Sequence, residues 1–491
     1  MPVGPLLTTL GIALEVAGLL CVPLVLLRRR EPPSTVAWLL ALVFLPGIGV
    51  SLFLLFGRDR LRLPLFRKRA SDQRVRSLRD PSRGERLLRA ARQGPLSTLS
   101  DPLDREIFRV GVAFGSAEPV PGNALELLVD GVATYDALAR AIDGAKRVVY
   151  AEYYLLRPDG TTKWFLGKLV DAARRGVAVK LLIDGFGSFW IRRRHLAELR
   201  AAGGEIAYFL PARLLFFQPM NLRNHRKIVV VDDEIAFTGG INIGDEYRGI
   251  GGPWRDTHLR IAGPAVHRLA DVFVEDWHFA TRRAISELEH RPRTEEDDRI
   301  ASERGGGAMV AIVKSGPDES GLHREAIHRL FFTAITSARA RLFITTPYFV
   351  PDRSILVALQ TAAARGIDVR LLFPSVSNHA VVFQAGRSFY EELLQAGVAI
   401  YEYGPGMIHA KTMVLDGRIA FVGSANMDLR SFRLNFEVHA VIRDELTAER
   451  LEQVFLDDLA LSKRIERDLF HVRPARQRLA EGVARLLSPL M

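Results

Sequence analysis

Two stretches of this chain carry residues suited to phosphate chemistry, "NHRKIVVVDDEIAFTGGIN" (224–242) and "IHAKTMVLDGRIAFVGSAN" (408–426). Laid over each other without a gap they agree at nine of nineteen positions, and each reads His, one residue, Lys, four residues, Asp, six residues, Gly. Residues two apart in extended backbone point to one face, so His225 with Lys227, and His409 with Lys411, present an imidazole beside an ammonium. A lone His-x-Lys is ordinarily a satisfied surface or core pair. The fuller pattern, repeated at a constant offset of 184 residues in matching contexts, is far rarer by chance.

Exchanging one phosphodiester for another needs a nucleophile on phosphorus and an acid for the leaving alkoxide, and two histidines divide that work. A neutral imidazole attacks to give a phosphohistidine; the other, protonated, donates to the leaving oxygen and later takes a proton from the incoming alcohol. Lys227 and Lys411, with the amides of Asn242 and Asn426, neutralise the equatorial oxygens, so no metal and no cofactor is expected. Gly239–Gly240 and Gly423–Ser424 let backbone approach a ligand, which places Gly240 and Ser424 with the phosphate-binding set. Asp232 and Asp416, near the turn into the next strand, complete the catalytic motif. Each histidine also needs an acid on its other ring nitrogen. Asp256 in "PWRDTHLRI" and Glu437 in "LNFEVHAVI" are the candidates, with Glu246 and Asp245 nearer the first motif. His267, His278 and His379 lack such a context, and His439 reads as a packed strand residue.

The elements that position these groups alternate between strand and helix from about residue 120 onward. "ALELLVDGVATYDALARAIDGAKRVVYAEYYLL" is answered later by "HRLFFTAITSARARLFITTPYFVP", and "LGKLVDAARRGVAVKLLIDGFGS" by "LVALQTAAARGIDVRLLFPSVS". The repeat is therefore of whole α/β domains, 116–285 and 309–491, joined by a charged, glycine-ended linker at 286–308. The first half has an extra segment at 212–221, whose Leu214–Phe217 either meets acyl chains or fills core. The last residues place Leu479, Val483, Leu486, Leu487 and Leu490 on one helical face, suited to a membrane surface or to capping the domain.

Of the 491 residues the first 57 are the most apolar. Leu6–Leu27 holds one charge, Glu15, and Val36–Phe56 holds none, so two transmembrane segments, about 6–27 and 36–56, form an expected hairpin. The start lacks the basic residues and cleavage site of a signal peptide. Five arginines and a lysine after the second segment favour catalytic domains on the cytoplasmic side; three arginines in the loop pull the other way, and Pro46–Gly47 with Gly49 would break the second segment. Residues 58–115 read as a basic juxtamembrane linker, lying on anionic lipid or solvated. The net charge of +11 calls for anionic partners. The hairpin points to a membrane surface and away from nucleic acid. The one cysteine, Cys21, excludes an internal disulfide framework and cysteine-built metal sites.

The two motifs resemble the signature of the phospholipase D superfamily. More narrowly, "STVAWLLALVFLPGIGVSLFLLFG" resembles the N-terminal membrane hairpin of bacterial cardiolipin synthases, and "NHRKIVVVDDEIAFTGGINIGDEY" with "PWRDTHLRIAGPAV", and "IHAKTMVLDGRIAFVGSANMDLRSFRLNFE", resemble their catalytic segments. The resemblance implies two tandem α/β/α domains with mixed sheets packed as a pseudo-twofold pair behind a transmembrane hairpin, in the bacterial inner (plasma) membrane. It implies condensation of two phosphatidylglycerol molecules to cardiolipin and glycerol without nucleotide or metal, with His225 as nucleophile by family analogy. Gly240 in the first motif against Ser424 in the second leaves the halves chemically unequal. Two alternatives share these residues: a phospholipase D handing the phosphatidyl group to water, and a transferase using phosphatidylethanolamine as donor.

Overall fold

Valine- and isoleucine-rich runs too short for helices become buried strands, and amphipathic stretches between them become the helices that cover the sheet. The computed structural model describes residues 3–27, 32–53, 62–79, 96, 99–114, 118–211, 222–252, 254–286, 290, 307–317 and 325–487. By contacts the chain divides into two units, residues 1–65 (with 217–219) and residues 66–216 with 220–491. The expected 212–221 segment lies outside the described residues, as does nearly all of the 286–308 linker.

The smaller unit contains α1 (Val3–Leu26), α2 (Pro32–Phe44) and α3 (Pro46–Leu52), which share a core of Cys21, Val25, Leu42 and Phe53. The expected second span, 36–56, is not one helix. Leu45 leaves helical geometry (φ −133°, ψ 59°) because Pro46 crowds the residue before it, and α3 restarts with that proline in its first turn. At 1.5 Å per residue, α2 and α3 reach only about 20 and 10 Å, short of the roughly 30 Å hydrocarbon core. Among the described residues no helix is long and apolar enough to cross a membrane.

The larger unit is built on a sixteen-stranded sheet, fifteen strands in one continuous order and the two-residue strand Arg223–Asn224 paired to one of them off that path. Its first half contributes β1 (Val120–Val129), β2 (Val148–Tyr153), β3 (Ala178–Asp184), β4 (Glu205–Phe209), β5 (Ile228–Val231), β6 (Ile235–Gly239) and β7 (Thr257–Ala262). The second half repeats them as β8 (Ala308–Ser315), β9 (Arg341–Thr345), β10 (Asp368–Pro374), β11 (Ala399–Tyr403), β12 (Thr412–Leu415), β13 (Ile419–Gly423) and β14 (Asn435–Arg443), with β15 (Ser462–Arg464) at the edge. Strand order is β15-β11-β10-β9-β12-β13-β14-β8-β1-β7-β6-β5-β2-β3-β4. It reads the same outward in both directions from the antiparallel β1–β8 contact, where Val120 faces Val310. The expected pseudo-twofold pair of mixed α/β halves is thus present, but the halves share one sheet. In each half the β2–β3–β4 or β9–β10–β11 strands are parallel and the motif hairpin is antiparallel.

The expected linker 58–115 is largely built into this unit. Helix α4 (Arg62–Arg79) buries Lys68, Ser71 and Asp72. The Lys68 ammonium bridges Asp72 (2.6 Å) and Asp276 (3.0 Å), and Ser71 Oγ meets His278 Nδ1 at 2.6 Å. Asp276 also pairs with Arg226, and Asp72 lies 3.7 Å from Lys314. Helix α5 (Pro102–Ala113) docks on the second half, where Asp101 and Asp104 hold Arg418 at 2.7 and 2.8 Å and Ile107 and Phe108 join the core. Basic composition suggested a solvated or lipid-bound tether; it is the spaced Lys68-x-x-Ser71-Asp72 face that finds a charged interior. The C-terminal helix α6 (Ala475–Leu487) caps the second half through buried Glu481 and Ala484, Glu481 pairing with Arg473 at 2.8 Å, and leaves Leu479, Val483 and Leu486 exposed.

Removing one member of a buried ion network strands the others without water. Asp276→Ala, which removes the carboxylate shared by Arg226 and Lys68, is expected to destabilise the fold by about 3–5 kcal/mol, read as a lower thermal midpoint of the full chain in detergent.

Candidate active site

His225 and Lys227 lie in extended backbone just before β5, and His409 and Lys411 just before β12. What places them is a crossed main-chain pairing. Arg223–Asn224 run parallel to Asn435–Phe436 of the second half, and Met407–Ile408 run parallel to Trp254–Arg255 of the first. The His225 N–H donates to Phe436 O (2.9 Å) and the His409 N–H to Arg255 O (2.6 Å).

This pairing sets the acids. The His225 Nδ1 faces both oxygens of Glu437 at 3.0 and 3.1 Å, and His409 Nδ1 faces Asp256 at 2.7 Å. Both expected orienting acids are in the site, fully buried, but exchanged: each serves the histidine of the opposite half. Sequence proximity pointed to the same half because the crossed pairing carries no local signal. Asp245 and Glu246 are elsewhere, Asp245 on Thr161 and Glu246 on Arg157 at 2.7 Å.

The two carboxyls differ. Burial works against the charge of Glu437, but His225, its hydrogen bond, Lys227 and the Ser424 hydroxyl outweigh it, and the acid drops to about 2. Ser424 Oγ donates to Glu437 Oε2 at 2.5 Å and Asn435 Nδ2 to Oε1 at 3.1 Å. Asp256 is raised, burial exceeding the pull of Lys411 and of the Thr257 N–H. Burial lowers His225 to about 4 despite Glu437, and burial together with Lys411, Lys227 and His225 pushes His409 well down. Lys227 falls to about 7 and Lys411 to about 8, chiefly by burial. An anion placed beside these two ammonium groups would favour their charged form.

Several expected roles change. Asp232 and Asp416 are outside this cluster, at the far end of the motif strand. Asp232 accepts from the N–H groups of Lys146, Arg147 and Val148 at 2.8–2.9 Å, and Asp416 from those of Arg339, Ala340 and Arg341, fixing the starts of β2 and β9. Both sit at positive φ in the hairpin turn. The Asn242 amide is taken up by Tyr247 Oη (2.9 Å) and the Leu155 N–H (3.3 Å), and Asn426 hydrogen-bonds Asp428. Ser424 serves Glu437. A Cβ on Gly240 would lie 2.1 Å from Asp256 Oδ1, so the glycine makes room for that acid. Gly240 and Ser424 thus accommodate the acids, and the asymmetry follows from which acid each half receives. His439 is a buried strand residue whose Nε2 accepts from the Ala425 N–H at 3.1 Å.

Sequence reasoning missed the aromatic frame. The Tyr154 ring meets His225 edge-on at 5.0 Å, and Tyr348, at the matching place in the repeat, meets His409 at 6.2 Å. Tyr247 and Trp254 flank His409 at 5.8 and 5.2 Å. Superposing "YAEYYLL" on "ITTPYFV" would have exposed the tyrosine pair.

Two His-x-Lys segments meeting across a pseudo-twofold, each histidine backed by the other half's acid, have the arrangement of a phospholipase-D-like site and are the candidate centre. A family model described as "Cardiolipin synthase, PLD-like domain" matches residues 138–277 and 331–459, and one described as "Phospholipase_D-nuclease N-terminal" matches 18–58. The chain is 39% identical to a cardiolipin synthase of Geobacillus kaustophilus, over 99% of this chain and 95% of that one, and 39% identical to cardiolipin synthase 2 of Bacillus anthracis, over 95% and 88%. The chain belongs to the cardiolipin synthase family. A crystal structure of phosphatidylserine synthase from Haemophilus influenzae has the same fold, with TM-score 0.60 at 15% identity over 78% of this chain and 98% of that one.

A paired comparison separates the two kinds of carboxylate. Asp232→Ala is expected to cost about 2–4 kcal/mol of stability, from lost charge-assisted bonds, while the folded fraction keeps its turnover. Glu437→Gln is expected to lower turnover by about 10²–10⁴-fold. It should also move the acid limb of kcat/KM, set by His225 near 4, to still lower pH, because the charge holding that value up is gone. Stability itself falls as the pH drops from 6.5 toward 4, since the unfolded chain binds the proton that buried His225 refuses.

Proposed function

We propose that this member of the cardiolipin synthase family condenses two phosphatidylglycerol molecules to cardiolipin and glycerol through a phosphatidyl-histidine at His225. The observation that carries the choice of nucleophile is the ionised Glu437 on His225 Nδ1, itself held by Ser424 and Asn435, against a raised Asp256 on His409. A carboxylate accepting the Nδ1 proton leaves Nε2 as the lone-pair donor and sharpens its nucleophilicity.

In the first step Nε2 of His225 forms a bond to phosphorus, and the glycerol oxygen departs with a proton from His409, which the bound phosphodiester has helped to protonate. In the second step the terminal hydroxyl of another phosphatidylglycerol gives its proton to His409 and attacks phosphorus, and His225 leaves. Lys227 and Lys411 neutralise the equatorial oxygens throughout. One phosphodiester is broken and one made, so no energy source enters.

The same reading assigns residues 1–57 as a helical membrane anchor, with the catalytic halves on the cytoplasmic side of the plasma membrane. It is supported by exposed Leu19, Leu20, Leu24 and Phe44 on the small unit and by the basic run that follows it.

The test is a lipid assay on detergent-purified full chain with phosphatidylglycerol as sole substrate, in chelator, beside His225→Ala and His409→Ala. Cardiolipin and glycerol are expected in equal amounts, with each variant losing more than about 10³-fold of the rate. Phosphatidic acid as product would make the protein a hydrolase, and loss of activity in chelator would overturn the two-histidine route.

A further inference from the structure

The loop that follows β3 is an unusual surface. It reads "GFGSFWIRRRH" (185–195), and Phe186, Phe189 and Trp190 are 46%, 51% and 66% exposed. Arg192, Arg193 and Arg194, one residue further on, are exposed as well, and no carboxylate pairs with them among the described residues. Trp190, Arg192, Arg194, Pro158 and His195 line an open hollow of about 340 Å³.

The loop backbone is fastened to its neighbours although its rings are exposed. Asp184 Oδ1 accepts from the N–H groups of Phe186 (2.9 Å) and Gly187 (2.8 Å). Ser188 Oγ donates to Tyr154 O and accepts from the Leu156 N–H, both at 3.0 Å, while Ile191 is buried as a plug. A Cβ on Gly187 would stand 2.3 Å from Tyr154 O, so the backbone is pressed against the β2 end. Phe189 and Trp190 meet edge-on at 5.4 Å, yet about half or more of each of the three rings stays in water, an apolar patch that the chain's own core does not cover.

The same groups tie the loop to the active site. Asp184 Oδ2 accepts from the Asn224 N–H at 2.9 Å, next to His225; Tyr154 packs on His225; and the Arg223 guanidinium lies 4.0 Å from the Phe186 ring centre. The second half has a matching rim after β10. Tyr348, beside His409, donates to Asn378 Oδ1 at 2.6 Å, and Val376 and Val381 on that rim are exposed.

We propose that loop 185–195 is an interfacial anchor for an anionic bilayer. Phe186, Phe189 and Trp190 enter at headgroup level and Arg192, Arg193 and Arg194 pair with lipid phosphates, holding the mouth of the site against the layer that supplies its substrates. Aromatic rings with an apolar body suit that depth, and clustered arginines suit anionic phosphate. The proposal rests on the phosphatidyl-transfer reading for its purpose but not for its test.

The experiment uses the full chain in nanodiscs of phosphatidylglycerol with dibrominated phosphatidylcholine, comparing wild type with Trp190→Phe to isolate the Trp190 emission. That emission is expected to be quenched by the brominated chains and shielded from aqueous iodide; quenching by iodide with no effect of bromine would overturn the anchor. In parallel, Arg192→Gln/Arg193→Gln/Arg194→Gln is expected to raise the phosphatidylglycerol mole fraction giving half-maximal rate by roughly tenfold or more, with turnover of monomeric short-chain phosphatidylglycerol unchanged. Equal loss on both substrates would overturn the proposal by showing that the loop only supports the site. A wild type inactive on both would count against the proposed reaction, and the quenching result would still decide the anchor.

Discussion

Everything in the centre depends on two short crossed strand pairings. Because Asn224 is registered against Phe436 and Ile408 against Arg255, each histidine backbone N–H is bound to the opposite half, and the acid on the next residue of that strand falls beside the imidazole. Neither half holds a complete histidine–acid pair by itself. The duplication of the motif therefore has a physical consequence beyond doubling: the two halves become one centre, and the shared sheet joined at β1 and β8 keeps them in register.

Burying two histidines, two lysines and two acids is costly, and the surroundings show how the cost is met. Arg226, between His225 and Lys227, points the other way and is held by Asp276, Glu437 O and Ser315 O. Arg255, next to Asp256, is held by Asp458 at 2.9 Å. Each half thus supplies a helix carboxylate that braces one strand of the cross-pairing. Through Lys68 the first of these braces extends to α4, so the segment following the N-terminal unit belongs to the supporting shell of the centre.

The α/β alternation, the repeat, the two motifs and both orienting acids were legible in the sequence, because strand and helix periodicities are local and the motif repeats at a fixed offset. What escaped was set by long-range geometry. The exchange of Asp256 and Glu437 depends on pairing between residues more than 150 apart. Asp232 and Asp416 look catalytic by their place in the motif, but a four-residue strand carries them to the opposite sheet end. Asn242 and Ser424 offer suitable donors whose partners are already inside the protein. The break in the second apolar run, by contrast, was legible: Pro46–Gly47 interrupts the segment in the sequence, and helical geometry is lost at Leu45, just before that proline.

The most direct measurement is alkaline-quenched mass spectrometry of the full chain turning over phosphatidylglycerol, with the phosphatidyl adduct mapped by peptide. An adduct on His225 is expected, formed markedly more slowly when Glu437 of the other half is changed to Gln. An adduct on His409, or one on His225 whose rate is indifferent to Glu437, would contradict it.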